Sequence, residues 1–265
     1  MFDRQHDAGG ARLSGTAGLL GLSQGGAYAG GSLPTGLGTL SFAVTRSDAD
    51  APSFGFEDDP TSDQFDQDAH AALGAAVSVR RPVLGADVSI GYQRLDEANG
   101  VLGTQGTGAL SLGRGAVTDA VNAEVVLPRT AGVRLSLSAT TARTAPGAQA
   151  GLLRVGEAGI TSTAFAARAD MRSVFARGDA VTMTLSQPLT ATGGSLVFEG
   201  VGIADRETGE RVATLTRIEA GDAPLVAEAS YRLRAFGDRA TLRALAGHDT
   251  GTAESQVGLS VAMPF

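Results

Sequence analysis

Apolar and polar residues alternate one by one along much of this chain, most regularly in residues 84–93, LGADVSIGYQ. Successive side chains of a β-strand point to opposite faces of its sheet, so a period of two predicts strands with one apolar and one polar face. Segments with the same alternation recur from residue 36 to the carboxyl terminus, and no segment has a helical period. The pattern therefore predicts an all-β protein of 12 to 14 strands.

The polar positions of these predicted strands are mostly Gly, Ser, Thr and Ala, with few charges. In a soluble sandwich the polar faces meet water and carry many charged residues, whereas in a transmembrane β-barrel the apolar residues face lipid and small or polar residues line the interior. Closure also removes the edge strands that an open sheet of this length would expose. We expect a closed, antiparallel, up-and-down transmembrane β-barrel over residues 36–265, with residues 1–35 as a linker or lumen segment.

One long acidic connection, residues 47–69, interrupts the predicted strands. Outer-membrane barrels have long loops on the outside and short periplasmic turns, which accommodates such a segment. Asp63, Asp66 and Asp68 offer the oxygen ligands that Ca²⁺ prefers, but the loop lacks the calcium-hand order of acids, Gly and a closing Glu. We therefore interpret it as a solvated outer loop.

Composition narrows the function classes. The net charge of −7 gives no basic surface for phosphate, so we expect no nucleic-acid partner. The absence of Cys excludes disulfides and thiolate metal sites. Charged residues make up 18 % of the chain, below the usual quarter, as a lipid-facing wall requires. Aromatic residues make up only 5 %, with no Trp and three Tyr, which is low for a barrel with aromatic girdles.

Targeting signals are expected to lie elsewhere. No run of 18 apolar residues is present, so the sequence predicts no transmembrane helix. Residues 1–10 are polar and lack the apolar region of a secretion signal. If the chain is an outer-membrane barrel, we expect it to be the carboxy-terminal part of a longer precursor.

Enzymatic chemistry finds little support in the sequence. The chain has three His residues, His6, His70 and His248, and none stands in a motif for a Ser–His–Asp triad. For His248 beside Asp249 we favour the interpretation as a polar turn residue over a catalytic role. We therefore predict no catalytic residue, no metal site and no cofactor.

The predicted closing strand ends in an aromatic residue at the carboxyl terminus. Its apolar positions alternate with small or polar ones. A closing strand of this kind resembles the carboxy-terminal recognition signal of bacterial outer-membrane barrels, which implies recognition by the barrel-assembly machinery. The residues of this predicted membrane-insertion signal are Val257, Leu259, Val261, Met263 and Phe265.

Charged residues at polar-face positions are the remaining functional hint. If the apolar faces meet lipid, these charges point into the lumen, where they keep a pore hydrated, form interior salt bridges or guide a passing chain. The predicted lumen charges are Glu124, Arg134, Glu228, Arg232 and Arg243.

Short motifs along most of the chain are similar to one family. They are Phe2–Asp3, the strand Leu40–Val44, the run from Gly178–Asp179 to Leu185–Leu189 (LSQPL), the turn Gly193–Gly194 and the terminal Phe265. Together they resemble the carboxy-terminal translocator domain of subtilisin-like serine protease autotransporters of alphaproteobacteria. The resemblance implies a twelve-stranded barrel that anchors in the bacterial outer membrane and helps to export an amino-terminal passenger protease, which this chain lacks.

Three functions follow as hypotheses. The first is a translocator and anchor without enzymatic activity, whose partners are outer-membrane lipid, the barrel-assembly machinery and its own amino-terminal passenger. The second is a passive outer-membrane pore or structural barrel. The third is a soluble β-rich adhesin or sandwich with two packed sheets and inward apolar faces, which would explain the low aromatic content.

Overall fold

The computed structural model describes residues 19, 27–49, 70–98, 100–102, 104–105, 115–147, 153–205, 210–219, 221, 223–235 and 240–262. The elements are all strands: β1 (Ala27–Thr35), β2 (Gly38–Ala49), β3 (His70–Val83), β4 (Ala86–Ala98), β5 (Gly100–Val101), β6 (Thr104–Gln105), β7 (Ala116–Val126), β8 (Val133–Pro146), β9 (Leu153–Arg172), β10 (Ala180–Asp205), β11 (Glu210–Glu219), β12 (Val226–Ala235), β13 (Ala240–Asp249) and β14 (Glu254–Ala262). Within the described residues the first strand of the sheet begins at Ala27.

Twelve strands form one antiparallel sheet in which neighbours in space follow one another along the chain, and β5 and β6 form a separate two-stranded hairpin. The predicted all-β, antiparallel, up-and-down architecture is confirmed. Within the described residues no hydrogen-bonded pairing joins β1 to β14. Closure of the sheet into a barrel therefore stays a prediction.

β11 and β12 share one edge of β10. Val181 of β10 pairs with β9 on one side and with β12 on the other, while Leu196 pairs with β9 and β11 in the same way. The twelve strands thus occupy eleven positions across the sheet. Because antiparallel neighbours alternate in direction, an odd number of positions leaves β1 and β14 running the same way.

The two longest connections lie at the same end of the sheet, which also has short ones. At one end, called the turn end, residues 36–37 and 84–85 are two-residue hairpin turns, and residues 173–179 join β9 to β10. At the opposite loop end, residues 50–69 join β2 to β3, and residues 99–115, which contain β5 and β6, join β4 to β7. The strand predicted over residues 84–93 begins at Ala86, because Leu84 and Gly85 adopt positive φ of 50° and 82° in a hairpin turn.

Candidate functional site: the two faces of the sheet

The face of the sheet with small and polar side chains is the buried one, and we call it the polar face. On β4 burial alternates residue by residue, with Ser89 and Gln93 each 4 % exposed. Asn122 of the neighbouring β7 is 2 % exposed, and Gln93 donates a hydrogen bond to its Oδ1 at 3.4 Å. Thr118 and Thr144 share a buried hydroxyl hydrogen bond of 2.9 Å across β7 and β8. At these positions the polar face is therefore lined by buried, hydrogen-bonded polar side chains.

The opposite face, called the apolar face, exposes large hydrophobic side chains. Ile90 is 60 % exposed and Leu137 is 55 % exposed, although both lie in the middle of long strands. Others that are more than a third exposed are Phe42, Val44, Leu73, Val77, Val79, Tyr92, Val121, Leu135, Phe165, Met183, Leu185, Val257, Leu259 and Val261. Soluble monomers rarely expose so extensive an apolar patch, and such a surface indicates contact with a membrane or another apolar partner. Among the described strands, one twelve-stranded sheet carries these exposed apolar side chains.

The apolar face has a length that suits a bilayer. On β8 the apolar-face positions Val133, Leu135, Leu137, Ala139 and Thr141 are all uncharged, and they extend over nine residues of the strand. A tilted transmembrane strand needs about 9–11 residues. On the loop-end side the charge-free stretch stops at a row in which Arg94, Asp119 and Arg143 stand side by side. Arg94 Nη1 lies 3.4 Å from Asp119 Oδ1 in this row.

Two of the three tyrosines lie at opposite borders of the apolar face. On the loop-end border the Tyr92 hydroxyl donates a hydrogen bond to Asp119. On the turn-end border the Tyr231 hydroxyl donates to Asp179 at 3.1 Å, and the ring of Phe175 packs edge-on against Tyr231 at 5.8 Å between centroids. Aromatic rings with a polar tip are typical of both interfaces of membrane barrels. Tyr92 and Tyr231 thus stand near the two ends of the apolar face.

The turn from β9 to β10 is organised by one carboxylate. Asp179 is 1 % exposed, and its two oxygens accept hydrogen bonds from the N–H groups of Val174 (2.7 Å), Phe175 (2.9 Å) and Ala176 (2.8 Å) as well as from Tyr231. Burial alone would raise the pKa of Asp179, but the N–H donors and the Tyr231 hydroxyl outweigh it. The pKa of this carboxyl is therefore below its ordinary value near 3.8.

This lowered pKa predicts an acid-sensitive contribution to stability. Because the folded-state pKa of Asp179 lies below the unfolded-state value, its contribution is present above about pH 4 and is lost as the pH falls through the folded-state pKa. We expect Asp179→Asn to be less stable than wild type at pH 7 and the difference to shrink as the pH falls below about 4. Unfolding of detergent-folded protein, followed by circular dichroism across this range, measures the effect. A difference independent of pH would contradict the assignment.

The predicted lumen charges occupy polar-face positions of their strands. Glu124 is 9 % exposed, and its Oε2 lies 3.1 Å from Nη2 of Arg80 on β3. Arg134 stands opposite Asp170, and Glu228 stands opposite Thr184. Arg232 and Arg243 are brought together directly opposite one another on β12 and β13.

Sequence reasoning missed several charged residues of the polar face, of which Arg80, Arg168 and Asp170 form ion pairs. Arg80 pairs with Glu124, and Arg168 makes a two-pronged contact with Asp170 in which Nε lies 3.1 and 3.0 Å from the two carboxylate oxygens. The Thr182 hydroxyl also donates to Asp170 at 2.8 Å. Arg80 is two residues beyond Ser78 in the same alternation, so the sequence carried a signal for it. In residues 160–172 the alternation of apolar and polar residues has no clear phase, so the sequence does not assign Arg168 and Asp170 to either face.

The predicted insertion signal lies partly in β14. Val257, Leu259 and Val261 are on the apolar face and are 88 %, 79 % and 54 % exposed. Met263 and Phe265 lie outside the described residues. The described part of the signal therefore continues the apolar face to the last strand of the sheet.

A loop-end apolar cluster covers part of the polar face. Leu19 is 1 % exposed and packs with Leu95, together with Ala72, Ala120 and Ala142 of the same face. A second group comprises Val101, Ala116, Val155 and Ile160. Leu102, between β5 and β6, contacts both groups, and its N–H donates to Glu97 Oε2 at 2.7 Å. A residue of the amino-terminal segment and the β5–β6 hairpin thus pack against the polar face at the loop end.

His248 and Asp249 do not pair with each other. His248 and Asp249 are consecutive in β13, so their side chains point to opposite faces of the sheet. His248 Nδ1 lies 3.0 Å from the Ser255 hydroxyl oxygen, while Asp249 accepts the N–H of Gly251 at 2.7 Å in the turn. Among the described residues no three His, Asp or Glu side chains group as a metal site.

No helix in the described part of the chain is long and apolar enough to cross a membrane. Comparison with known proteins finds no matching family, no matching curated protein and no matching solved structure.

Proposed function

We propose that the sheet closes into an outer-membrane β-barrel, with the apolar face in lipid and the polar face around a lumen. The inverted polarity of the sheet carries this proposal, since polar residues such as Ser89 and Asn122 are buried while Ile90 and Leu137 are exposed. Lipid would cover the exposed apolar area and so stabilise the folded sheet, whereas in water this area would stay exposed at a cost in free energy. The borders at Tyr92 and Tyr231 support the same placement.

Closure of the sheet into a barrel requires hydrogen-bonded pairing at its two edge strands, β1 and β14. Because β1 and β14 run the same way, direct pairing between them would be parallel, and an antiparallel closure would need one additional strand. All nine residues of β14 are exposed, as expected for a strand at the edge of the described sheet. In the membrane the free-energy cost of an unpaired strand edge would be too large for a stable fold, because each unsatisfied backbone group costs several kcal/mol in hydrocarbon.

The asymmetry of the connections supports an orientation. Outer-membrane barrels place short turns in the periplasm and longer loops outside the cell. We therefore orient the turn end, with residues 36–37 and 84–85, toward the periplasm and the loop end, with residues 50–69, toward the exterior. Asp179 and its turn would then lie at the periplasmic border.

Within this frame we propose that the barrel anchors and helps to export an amino-terminal passenger. The resemblance to autotransporter translocators motivates the proposal, and the position of Leu19 against the polar face supports a path of the amino-terminal segment into the lumen. The mechanism is physical: lipid holds the apolar face, while the polar lumen offers an extended segment hydrogen-bonding groups in place of water. The barrel-assembly machinery would insert the closing strand.

A surface-display experiment tests the export function. We would place a secretion signal and a tagged passenger segment before residue 1 and add protease to intact cells. The translocator predicts that protease removes the tag while the barrel stays in the outer-membrane fraction. A tag protected inside cells that carry an inserted, folded barrel would contradict export and leave a passive pore or structural barrel.

A further inference from the structure

Two hairpin tips at the turn end present large apolar side chains to their surroundings. Leu37, in the turn of residues 36–37, is 72 % exposed, and Leu84, in the turn of residues 84–85, is fully exposed at 103 %. Val83, the last residue of β3, is 44 % exposed. Because the two leucines lie outside the strands, they extend the apolar surface past the strand ends.

The conformation of the tips gives no structural reason for leucine. Leu84 and Gly85 have positive φ of 50° and 82°, the pattern of a two-residue type I′ turn, which prefers Asn–Gly or Asp–Gly. A branched apolar residue is disfavoured in this region, and at full exposure it gains nothing from packing. At the other tip the Thr35 hydroxyl donates to the carbonyl oxygen of Gly38 at 2.7 Å and accepts the N–H of Leu37 at 3.3 Å. Both turns thus hold a leucine outward, where an apolar medium would stabilise it.

One arginine lies beside these tips. Arg81 is exposed on β3 in the phase of the apolar face, three positions before Leu84. Its cross-strand partner is Val88, and no hydrogen bond or ion pair joins its guanidinium to any described residue. Asp87 of β4 and Glu124 of β7 occupy polar-face positions, on the other side of the sheet. Within the described residues Arg81 is therefore a cation among apolar side chains without a counter-charge.

The length of β4 places its tip at a border of the proposed membrane. Residues 85–93, nine in all, separate Leu84 from Arg94 of the charged row on the loop-end side. A tilted transmembrane strand needs about 9–11 residues. If the membrane ended at Val88, opposite Arg81, only the last five of these residues would cross it. The turn-end border therefore falls at Leu84, and Arg81 lies just inside it.

We propose that Leu37, Leu84 and Arg81, called the lipid anchor, bind the phospholipid leaflet on the turn-end side. The two leucines enter the apolar edge of the leaflet, and Arg81 binds a lipid phosphate. An arginine can keep its stem in hydrocarbon while its guanidinium reaches the head groups, and its planar donors match phosphate oxygens. The inference rests on the proposed barrel, because it requires lipid on the apolar face.

Tryptophan can report the depth of the tips, because the chain contains none. Leu84→Trp and Leu37→Trp would be folded separately into vesicles of phosphatidylcholine with brominated acyl chains. We expect bromine to quench most of the emission of both variants. The control is Thr130→Trp, in an exposed turn at the same end and three positions beyond Val133, where the emission should stay unquenched.

Each other outcome of the depth measurement has a distinct meaning. Emission from both tips that matches Thr130→Trp would place the tips in water and overturn the anchor. Emission that is shielded from water but unquenched by bromine would indicate contact with protein and overturn lipid as the partner. Failure of the wild-type chain to fold in vesicles would instead overturn the barrel on which the anchor rests.

The lipid head group tests the phosphate contact. Urea unfolding of wild type should require more urea in vesicles in which phosphatidylglycerol replaces part of the phosphatidylcholine, because this head group is anionic. Arg81→Gln should lose most of this gain, whereas Arg81→Lys, which keeps the charge, should retain most of it. No gain in wild type, or an equal gain in Arg81→Gln, would overturn the phosphate contact.

Inorganic phosphate separates a lipid from a free anion as the ligand. Added to detergent-folded protein at matched ionic strength, it should leave the unfolding midpoints of wild type and Arg81→Gln equally unchanged. A rise in the midpoint of wild type that Arg81→Gln abolishes would assign Arg81 to a free anion and overturn the lipid head group.

Discussion

Leu137→Arg is expected to destabilise the lipid-folded protein by about 2–4 kcal/mol, whereas Ser138→Arg on the next position of β8 should cost far less. Leu137 lies midway along the charge-free part of the apolar face and is 55 % exposed, so a guanidinium there would meet hydrocarbon. Ser138 is on the polar face opposite Glu124, whose carboxylate can accept an added arginine. Equilibrium unfolding of both variants in lipid vesicles measures the difference.

The same pair of variants discriminates between a membrane and an aqueous setting. In water an exposed leucine can be replaced by arginine with a change of about 0.5 kcal/mol or less. A large cost for Leu137→Arg and a small one for Ser138→Arg therefore requires lipid on the apolar face. Equal costs at the two positions would contradict lipid on the apolar face, and a larger cost at Ser138 would mean that the two faces have been assigned the wrong way round.

Gly194→Ala is expected to destabilise the protein by about 2–5 kcal/mol, because strain and overpacking act together. Gly194 has φ of +93°, and a Cβ atom there would lie 2.1 Å from the carbonyl oxygen of Gly159 on β9. The neighbouring strand cannot retreat without breaking its pairing with β10. The matched control is Gly178→Ala, which has φ of +86° but no heavy atom within 4 Å of the added Cβ.

The control isolates the steric part of the effect. Gly178→Ala introduces the same left-handed strain and should cost about 1 kcal/mol. Urea unfolding of the two variants in detergent gives both values. If the two glycines proved equally tolerant, the close approach of β9 and β10 at Gly159 and Gly194 would be wrong.

The alternation of the sequence predicts the faces of the sheet well, because a period of two is a direct consequence of strand geometry. Ser89 and Ile90 are adjacent in the sequence, and the pattern assigns them to opposite faces, one buried and one exposed. The alternation assigns residues to faces less well where apolar residues occur in both phases. Residues 160–172 are the last 13 residues of β9 and pair with β8 without a register shift, but Ile160 is buried on the polar face while Phe165 is exposed on the apolar face, so the apolar residues do not share one phase.

Other features depend on the register between strands, which a single sequence does not specify. The opposition of Arg232 and Arg243 follows from the pairing of β12 with β13, and either residue alone reads as an ordinary lumen charge. The shared edge of β10 likewise follows from its pairing with both β11 and β12. Leu84 gave no signal for a positive φ, because a branched apolar residue normally avoids that region.

The central claim is that this sheet closes into a barrel whose apolar face requires lipid or detergent. The most direct test is to refold residues 1–265 with and without detergent and to compare unboiled with boiled samples on a denaturing gel. We predict a second, faster-migrating band in unboiled samples only after refolding in detergent, because a closed barrel resists the gel detergent until heated. A soluble, monomeric, β-rich product without detergent and without a heat-dependent shift would contradict the barrel and restore a soluble β-protein.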